Sequence, residues 1–538
     1  MTNDYPIATW ARARRTAGVL LAAGAVIAAA GCGTRLAHSD IANAGPAITG
    51  TAAQGAASGA SGAGVTSGTT GTTGSAATSG TTDAGTSTGT TGTSTGTTST
   101  GTTGTSTGTT SKGSSSGGKT PTSGASTSAK PGAATASTAA PSGTTGTPQI
   151  LGGNAACAPA TKSPVTLGNV STLSGVLGNL FHPVVPALQT FVKAQNACGG
   201  LNGHPINLII KDDQDDPSTA ASEAQDLIQN SHVLAFVGNI QVLTIDAMTD
   251  TINKSKVPII GGDLTNDTWF SSPYIFPQGP PPEAISFGYL QQMTQVDHAK
   301  KVGDAYCIEV PQACRQIDAG FRALAPQFGA TVANDVQISI TSPSYTSQCL
   351  AAQDAGVEVM ALTVDAPTQS RFANSCAQVG FHPKYIAYPL GVGNESEFFG
   401  NPNLANTYVP LNTFPWMSNN TPAEKFYQAS VAKYNPGFTT GDAASLGWTA
   451  GALLVAATLQ LSDNPTTAEI VTSLDTNFKG QASSTLGGLT APLTFTAGQT
   501  PTAPYCLFGV TSNGDNTGWV NPIDKATCTT VTAPGAPK

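Results

Sequence analysis

This 538-residue chain contains nine cysteines, which could bind a metal or form disulfides, and their spacing helps to decide between these possibilities. Cys32 stands alone near the start, whereas the other eight lie between positions 157 and 528. No Cys-x-x-Cys pair occurs and the six histidines are scattered, so the pattern does not predict a zinc site. An even number of cysteines is typical of disulfides formed in an oxidising compartment. These eight are Cys157, Cys198, Cys307, Cys314, Cys349, Cys376, Cys506 and Cys528.

Four aspartates at positions 212 to 216 form the densest group of possible metal ligands. A calcium loop needs a flexible turn and a bidentate glutamate at a fixed distance, but Pro217 replaces the turn and the glutamate is missing. Asp216 followed by Pro217 is instead typical of a helix start, with the aspartate as N-cap. We therefore predict neither a metal nor another cofactor.

Residues 85–89 match the Gly-x-Ser-x-Gly pattern of hydrolases. That pattern needs a strand before it and a helix after it, and the surrounding Gly/Ser/Thr-rich sequence predicts neither. No Ser/His/Asp set and no pair of carboxylates can be placed at the end of a predicted strand. The sequence therefore favours a protein that is not an enzyme over an extracellular enzyme.

The composition divides the chain into an apolar start, a long Gly/Ser/Thr/Ala tract and a globular part from about residue 151 to 538. The globular part is longer than a single core usually grows, so we expect two lobes. Formal net charge is -8 and only 10% of residues are charged. Without a basic stripe to release counterions from phosphate, binding to nucleic acid is not predicted.

Residues 1–31 have the pattern of an export signal. Three arginines at positions 12–15 precede an apolar stretch at 17–30 that is too short to span a bilayer comfortably. The sequence Ala-Ala-Gly-Cys at 29–32 then resembles a bacterial lipobox, in which Cys32 is lipidated and anchors the protein outside the cytoplasm. The alternative is an ordinary signal peptide cleaved nearby, with Cys32 incidental.

Residues 32–150 are dominated by runs of glycine, threonine, serine and alanine. Hydrophobic side chains are nearly absent between 39 and 147, so burial cannot offset the entropy of ordering the chain. We predict a disordered linker with a root-mean-square reach of roughly 55–60 Å. Such a linker suits a tether between a membrane anchor and a binding domain.

Strand and helix patterns alternate along the globular part, which predicts an α/β fold with doubly wound parallel sheets. Such sheets bind ligands at the carboxyl ends of their strands. The pattern restarts near residue 301, which indicates two similar halves. Predicted helices cover 183–196, 218–229 and 243–254, and predicted strands cover 165–170, 206–210, 233–238, 257–260, 302–308, 332–338, 357–362 and 385–387.

Four short motifs follow one another at characteristic spacing: Ser-Thr-Leu-Ser-Gly at 171–175, Asn-x-x-Gly-Gly-x-Asn-Gly at 196–203, Asp-Asp…Asp-Pro at 212–217, and Gly-Val-Gly-Asn at 391–394. With these motifs, residues 160 to 530 resemble the type I periplasmic binding proteins of the branched-chain amino acid class. The resemblance implies two lobes joined by three crossings. The first lobe would hold about 160–282 and 411–502, and the second about 283–410 and 503–538.

The same resemblance implies a solute-binding receptor that delivers a small molecule to the permease and ATPase subunits of an ABC importer. A lipoprotein that senses a ligand and signals to a partner without transport is the alternative. Candidate ligand-binding residues are carried over by position from the family's amino-acid receptors. They are Leu180, Phe181, Gln241, Val242, Thr244, Asp263, Thr265, Asp365 and Leu390.

Leu390 occupies the position at which the family's glutamate neutralises the ligand's ammonium. An ammonium buried without an anion costs several kcal/mol. Asp263 or Asp365 could replace the glutamate, although each could equally be a helix cap. Leu180, Phe181, Val242 and Leu390 could likewise be ordinary core residues. We therefore expect a more apolar solute than an amino acid.

Eight cysteines allow 105 pairings. The pairs Cys157–Cys198, Cys307–Cys314, Cys349–Cys376 and Cys506–Cys528 are favoured because each stays within one implied lobe. Crosslinks between lobes would oppose the hinge motion that ligand binding requires.

We predict that Cys32 becomes the lipidated N-terminus of the mature protein. Cys32→Ala should release the protein from membranes, because the acceptor of the diacylglycerol is removed. Membrane fractionation and the mass of the N-terminal peptide test this. Full membrane retention of the variant, with no lipid mass on the wild-type peptide, would refute it.

Overall fold

The computed structural model describes residues 146–175, 177–178, 183–479 and 485–529. The predicted signal, the predicted linker up to residue 145, Cys32, Leu180 and Phe181 lie outside these residues. None of the helices described has both the length and the apolar sequence needed to span a bilayer.

The first sheet has five strands in the order β2-β1-β3-β4-β5. All neighbouring strands pair in parallel, and β1, β3 and β4 are almost fully buried because helices cover both faces. The strands are β1 Val165–Ser171, β2 Ile206–Asp212, β3 Phe236–Asn239, β4 Ile259–Gly262 and β5 Ile275–Phe276.

Six helices belong to this first lobe. Three of them alternate with its strands: α1 Val184–Ala197, α2 Pro217–Gln229 and α3 Ile245–Ser255. Asp216 caps α2 as predicted, since its side chain accepts a hydrogen bond from the amide of Thr219 at 2.7 Å.

The other three helices come from far along the chain, and α10 packs against α1, β3 and β4. Two of them start with a capping box. These three helices are α9 Pro422–Tyr434, α10 Asp442–Ala457 and α11 Thr467–Asn477. Between α3 and α9 the chain forms α4 Glu283–Gln291, α5 Pro311–Leu324, α6 Thr346–Ala355, α7 Ala366–Gln378 and α8 Glu395–Phe398.

The second sheet has seven strands in the order β12-β11-β10-β9-β8-β6-β7. The strands β6 to β10 pair in parallel, and the sequence predicted β6 to β9 but not β10, whereas β11 and β12 are antiparallel. The sheet is mixed because a short turn joins β11 to β12, and such a turn can connect only antiparallel strands. The strands are β6 Lys301–Cys307, β7 Thr331–Ile338, β8 Val359–Thr363, β9 Lys384–Ala387, β10 Tyr408–Leu411, β11 Cys506–Ser512 and β12 Trp519–Cys528.

The chain passes between the two groups of elements three times. It leaves the first sheet after β5 through the proline-rich segment 279–282, returns to helices of the first lobe after β10, and enters the second sheet again at β11. This connectivity is the one that the family resemblance implied. The residue limits proposed for the lobes stay a prediction.

Four disulfides join the cysteine pairs that the sequence analysis favoured. Each bridge connects neighbouring elements: α6 to α7, β11 to β12, the end of β6 to α5, and the end of α1 to the segment before β1. None of these four bridges links the two lobes, so none of them opposes a hinge motion. The pairs are Cys157–Cys198, Cys307–Cys314, Cys349–Cys376 and Cys506–Cys528.

Helix α10 is buried along its whole length, including its first residue, Asp442. Both carboxylate oxygens of Asp442 are buried without a hydrogen-bond partner among the described residues. Loss of hydration raises the pKa of Asp442 to about 7. The folded protein therefore favours the protonated form, so the stability that this group contributes is complete below about pH 4 and is lost as pH rises towards 7.

We predict that Asp442→Asn makes the protein more stable than the wild type at pH 7.5, by up to roughly 4 kcal/mol, with little difference at pH 4. The reason is that the amide cannot ionise. Urea unfolding at several pH values measures the difference. The matched control is Asp250→Asn, since this aspartate is 88% exposed. A constant difference between Asp442→Asn and wild type across this range would contradict the prediction.

Candidate ligand-binding site

A cavity of about 50 Å³ lies at the carboxyl ends of strands from both sheets. This is room for about four water molecules, so a larger solute needs the lobes to separate before they close on it. The first lobe contributes Leu177, Val242 and Thr265. The second lobe contributes Cys307, Glu309, Val310, Ala313, Cys314, Ile317, Ile340, Thr363, Val364, Asp365, Tyr388, Leu390 and Gly391.

The aspartates at 212–216 shape the first lobe's side of the cavity. Asp212 accepts hydrogen bonds from the amides of Leu173 and Ser174 at 3.0 and 3.2 Å. Asp215 accepts one from the amide of Leu177 at 2.9 Å, and Leu177 lines the cavity. These carboxylates therefore hold the loop after β1 through its backbone.

Asp263 lies behind the cavity wall and is engaged by the protein itself. One of its oxygens accepts hydrogen bonds from the hydroxyl and amide of Thr265 and from the indole N–H of Trp269, at 2.9 Å for each N–H. Its other oxygen accepts one from the amide of Gln241. Burial raises the pKa of Asp263, and these donors oppose that rise. This arrangement fixes the loop after β4, and the four donors already use both oxygens.

Gln241 and Thr244 are also buried outside the cavity lining. The Thr244 hydroxyl donates to Asp213 Oδ2, and the Gln241 side-chain amide donates to the Thr244 hydroxyl at 3.4 Å. Their side chains thus connect loops of the first lobe to one another.

The second lobe supplies most of the apolar wall. Val310, Ala313 and Ile317 come from the segment after β6 and from α5, and Ile340 follows β7. The disulfide Cys307–Cys314 is part of this wall. Leu390 completes it from the turn after β9 and is 1% exposed.

Two carboxylates of the second lobe also line the cavity. Glu309 Oε1 accepts hydrogen bonds from the Ser339 hydroxyl at 2.6 Å and the Ile340 amide at 3.0 Å, whereas Glu309 Oε2 is buried without a partner among the described residues. Asp365 stands at the N-cap position of α7 but makes no side-chain cap. Its Oδ1 is likewise buried without a partner in this part of the chain, and burial raises its pKa.

The Gly-Val-Gly-Asn turn at 391–394 brings the lobes into contact beside the cavity. It lies so close to the start of α10 that a Cβ on Gly441 would be 2.2 Å from the carbonyl oxygen of Gly393. A side chain at position 441 would therefore force the two lobes apart.

Of the nine residues expected from the sequence, Val242, Thr265, Asp365 and Leu390 line the cavity. Asp263, Gln241 and Thr244 support its walls from behind, and Leu180 and Phe181 lie outside the described residues. The sequence analysis missed most of the second lobe's contribution, because it transferred only two positions to that lobe. Ligands of parallel sheets bind at the carboxyl ends of the strands. This rule could have identified Cys307, Thr363 and Tyr388, which stand at the carboxyl ends of β6, β8 and β9.

Solved structures of solute-binding proteins share this fold. The fatty acid ABC transporter substrate-binding protein from Thermomonospora curvata matches with a TM-score of 0.60 and 19% identity, over 71% of this chain and 97% of that one. A branched-chain amino acid ABC transporter protein from Thermus thermophilus with bound valine matches with a TM-score of 0.58 and 15% identity, over 69% and 98%.

A curated relative matches over a shorter stretch. The substrate-binding protein BasB of a chemotactic signal transduction system in Halobacterium salinarum is 36% identical over 89 residues. The match covers 16% of this chain and 22% of that protein, so the chain spans about a fifth of the length of this relative. Residues 164–515 match the family model described as periplasmic binding protein. The chain therefore belongs to the periplasmic binding protein family.

Proposed function

We propose that this protein is an extracytoplasmic receptor that binds a small, largely apolar solute between its lobes and delivers it to an ABC importer. The observation that carries the proposal is the cavity at the strand ends of both sheets, whose walls are mainly aliphatic. Removal of such surface from water favours binding by about 25 cal/mol per Å² before the costs of association.

Three features argue against leucine, isoleucine or valine as the solute. Leu390 lines the cavity where the family's glutamate would stand, so the ammonium of an amino acid has no anion at the family's position. The carboxylate of Asp263 is already engaged by donors of its own lobe. In the first lobe, the side chains of Gln241 and Thr244 form hydrogen bonds with their neighbours and do not line the cavity. A ligand carboxylate would therefore find few hydrogen-bond donors on that side of the cavity.

The two solved structures differ in the polarity of the ligands that their descriptions name. One is described as a fatty acid transporter protein and the other contains valine, so this fold accommodates both an acyl chain and an amino acid. The aliphatic walls of the present cavity favour the less polar alternative. A lipid anchor on Cys32 and the long linker would then hold the receptor near the permease and ATPase subunits.

A sensory role is the second candidate, and the partial similarity to a chemotactic substrate-binding protein supports it. The two roles differ in the partner of the closed, ligand-bound form. Deletion of the gene should abolish uptake of the solute if the protein serves an importer, whereas uptake should persist and the cellular response to the solute should vanish if it serves a sensor.

We predict that leucine, isoleucine and valine bind weakly or not at all to the purified full chain, whereas a less polar solute binds better. Isothermal titration calorimetry measures both, and mass spectrometry of molecules that co-purify with the folded protein identifies candidates. Binding of any of the three amino acids at micromolar or lower Kd would show that the interpretation of Leu390 is wrong.

A further inference from the structure

Glu309 has one carboxylate oxygen anchored and the other available. The Ser339 hydroxyl and the Ile340 amide hold Oε1, so the side chain has a fixed orientation at the end of β6. The buried Oε2 has no hydrogen-bond partner among the described residues. A buried oxygen of this kind lowers affinity and stability unless a donor reaches it.

The charge of the cavity is unbalanced. Among the described residues, its lining contains two carboxylates, Glu309 and Asp365, and no lysine, arginine or histidine. Behind the wall, the Arg371 guanidinium donates to the Ile340 carbonyl and, at 2.8 Å, to the Thr368 hydroxyl, and its positive charge lowers the pKa of Asp365 against the effect of burial. Glu309 takes part in none of the ion pairs between described residues.

We infer that the solute carries an ammonium group, which donates to Glu309 Oε2 while its apolar body lies against the aliphatic wall. The inference rests on the proposed function and narrows the ligand to an alkylamine or arylalkylamine. A cation satisfies the free oxygen and balances the charge of the lining, whereas an alcohol would do only the first.

A carboxylate is disfavoured in the same position. A fatty acid would place its negative charge beside Glu309 and Asp365, and the lining residues that the structure describes include no cation to offset the repulsion. Leucine would satisfy Glu309 with its ammonium but would bring its own carboxylate into this acidic cavity. An amine without a carboxylate avoids both costs.

Three solutes with the same aromatic body and different heads separate these cases: phenethylamine, 2-phenylethanol and 3-phenylpropionate. Calorimetry on the purified full chain at pH 7 should give the lowest Kd for the amine, about tenfold or more below that of the alcohol, because charge-assisted hydrogen bonds are stronger than neutral ones. The acid should bind weakest.

Glu309→Gln is the corresponding variant, since the amide oxygen can still accept from Ser339 and Ile340. It should raise the Kd of the amine about 10- to 100-fold and that of the alcohol by less than about threefold. The matched control is Glu223→Gln, which removes an ion pair of 2.6 Å with Lys211 in the first lobe, away from the cavity lining. Near-ultraviolet circular dichroism checks that each variant is folded.

The outcomes distinguish this inference from the proposed function. If the alcohol or the acid binds as tightly as the amine, the inference of an ammonium group is refuted, while the proposed binding of an apolar solute is still supported. If none of the three binds, the proposed function fails together with the inference. If Glu309→Gln does not fold, the order of affinities in the wild type decides alone, and an amine that binds equally well to a folded Glu309→Gln overturns the role of Glu309.

Discussion

A carboxylate removed from water costs free energy unless hydrogen-bond donors or a proton replace the lost hydration, and much of this structure depends on how that cost is met. In the first lobe the donors are backbone amides together with hydroxyls and the Trp269 indole N–H. Asp212 and Asp215 accept from the loop after β1, and Asp263 accepts from the loops after β3 and β4. These loops carry Leu177, Val242 and Thr265 into the cavity, so the positions of these three residues follow from acids that do not line it.

The second lobe meets the same cost differently. Burial raises the pKa of Asp304 well above its ordinary value, and the Thr363 hydroxyl donates to its Oδ1 at 3.0 Å. Asp304 is fully buried in the core and does not line the cavity. Glu309 and Asp365, in contrast, line the cavity with one oxygen each unpaired among the described residues. Their place in the cavity lining separates these two acids from those that only build the fold.

Periodicity predicted most of the parallel strands of both sheets, because buried parallel strands are short, apolar and bounded by turns, but it missed β5 and β10. The prediction for the first strand, 165–170, differs from β1 by one residue. Periodicity missed β11 and β12, whose antiparallel pairing depends on a turn and on partners about 100 residues away in β10. The family resemblance supplied the return of the later helices to the first lobe, which no local pattern contains.

The site was harder to predict than the fold, because side-chain roles depend on contacts that spacing does not encode. Asp263 and Asp365 looked equivalent in the sequence. In the structure, Trp269 and Gln241 donate hydrogen bonds to Asp263, whereas the Asp365 side chain does not cap α7. Glu309 was overlooked because the family's anchor position is occupied by Leu390. The cavity-lining glutamate of the second lobe stands in the segment after β6 and not in the turn after β9.

The segment that carries Glu309 is closed by the disulfide Cys307–Cys314, whose cysteines are seven residues apart. A covalent closure this short restricts the backbone between β6 and α5, while Ser339 and Ile340 fix the side chain from β7. Recognition groups that are held in place before the ligand arrives lose less conformational entropy on binding. The hinge still has to close, but because each described bridge lies within one lobe, rigidity at the wall is combined with freedom between the lobes. The disulfides therefore act on affinity through the shape of each half and leave the motion that encloses the solute unconstrained.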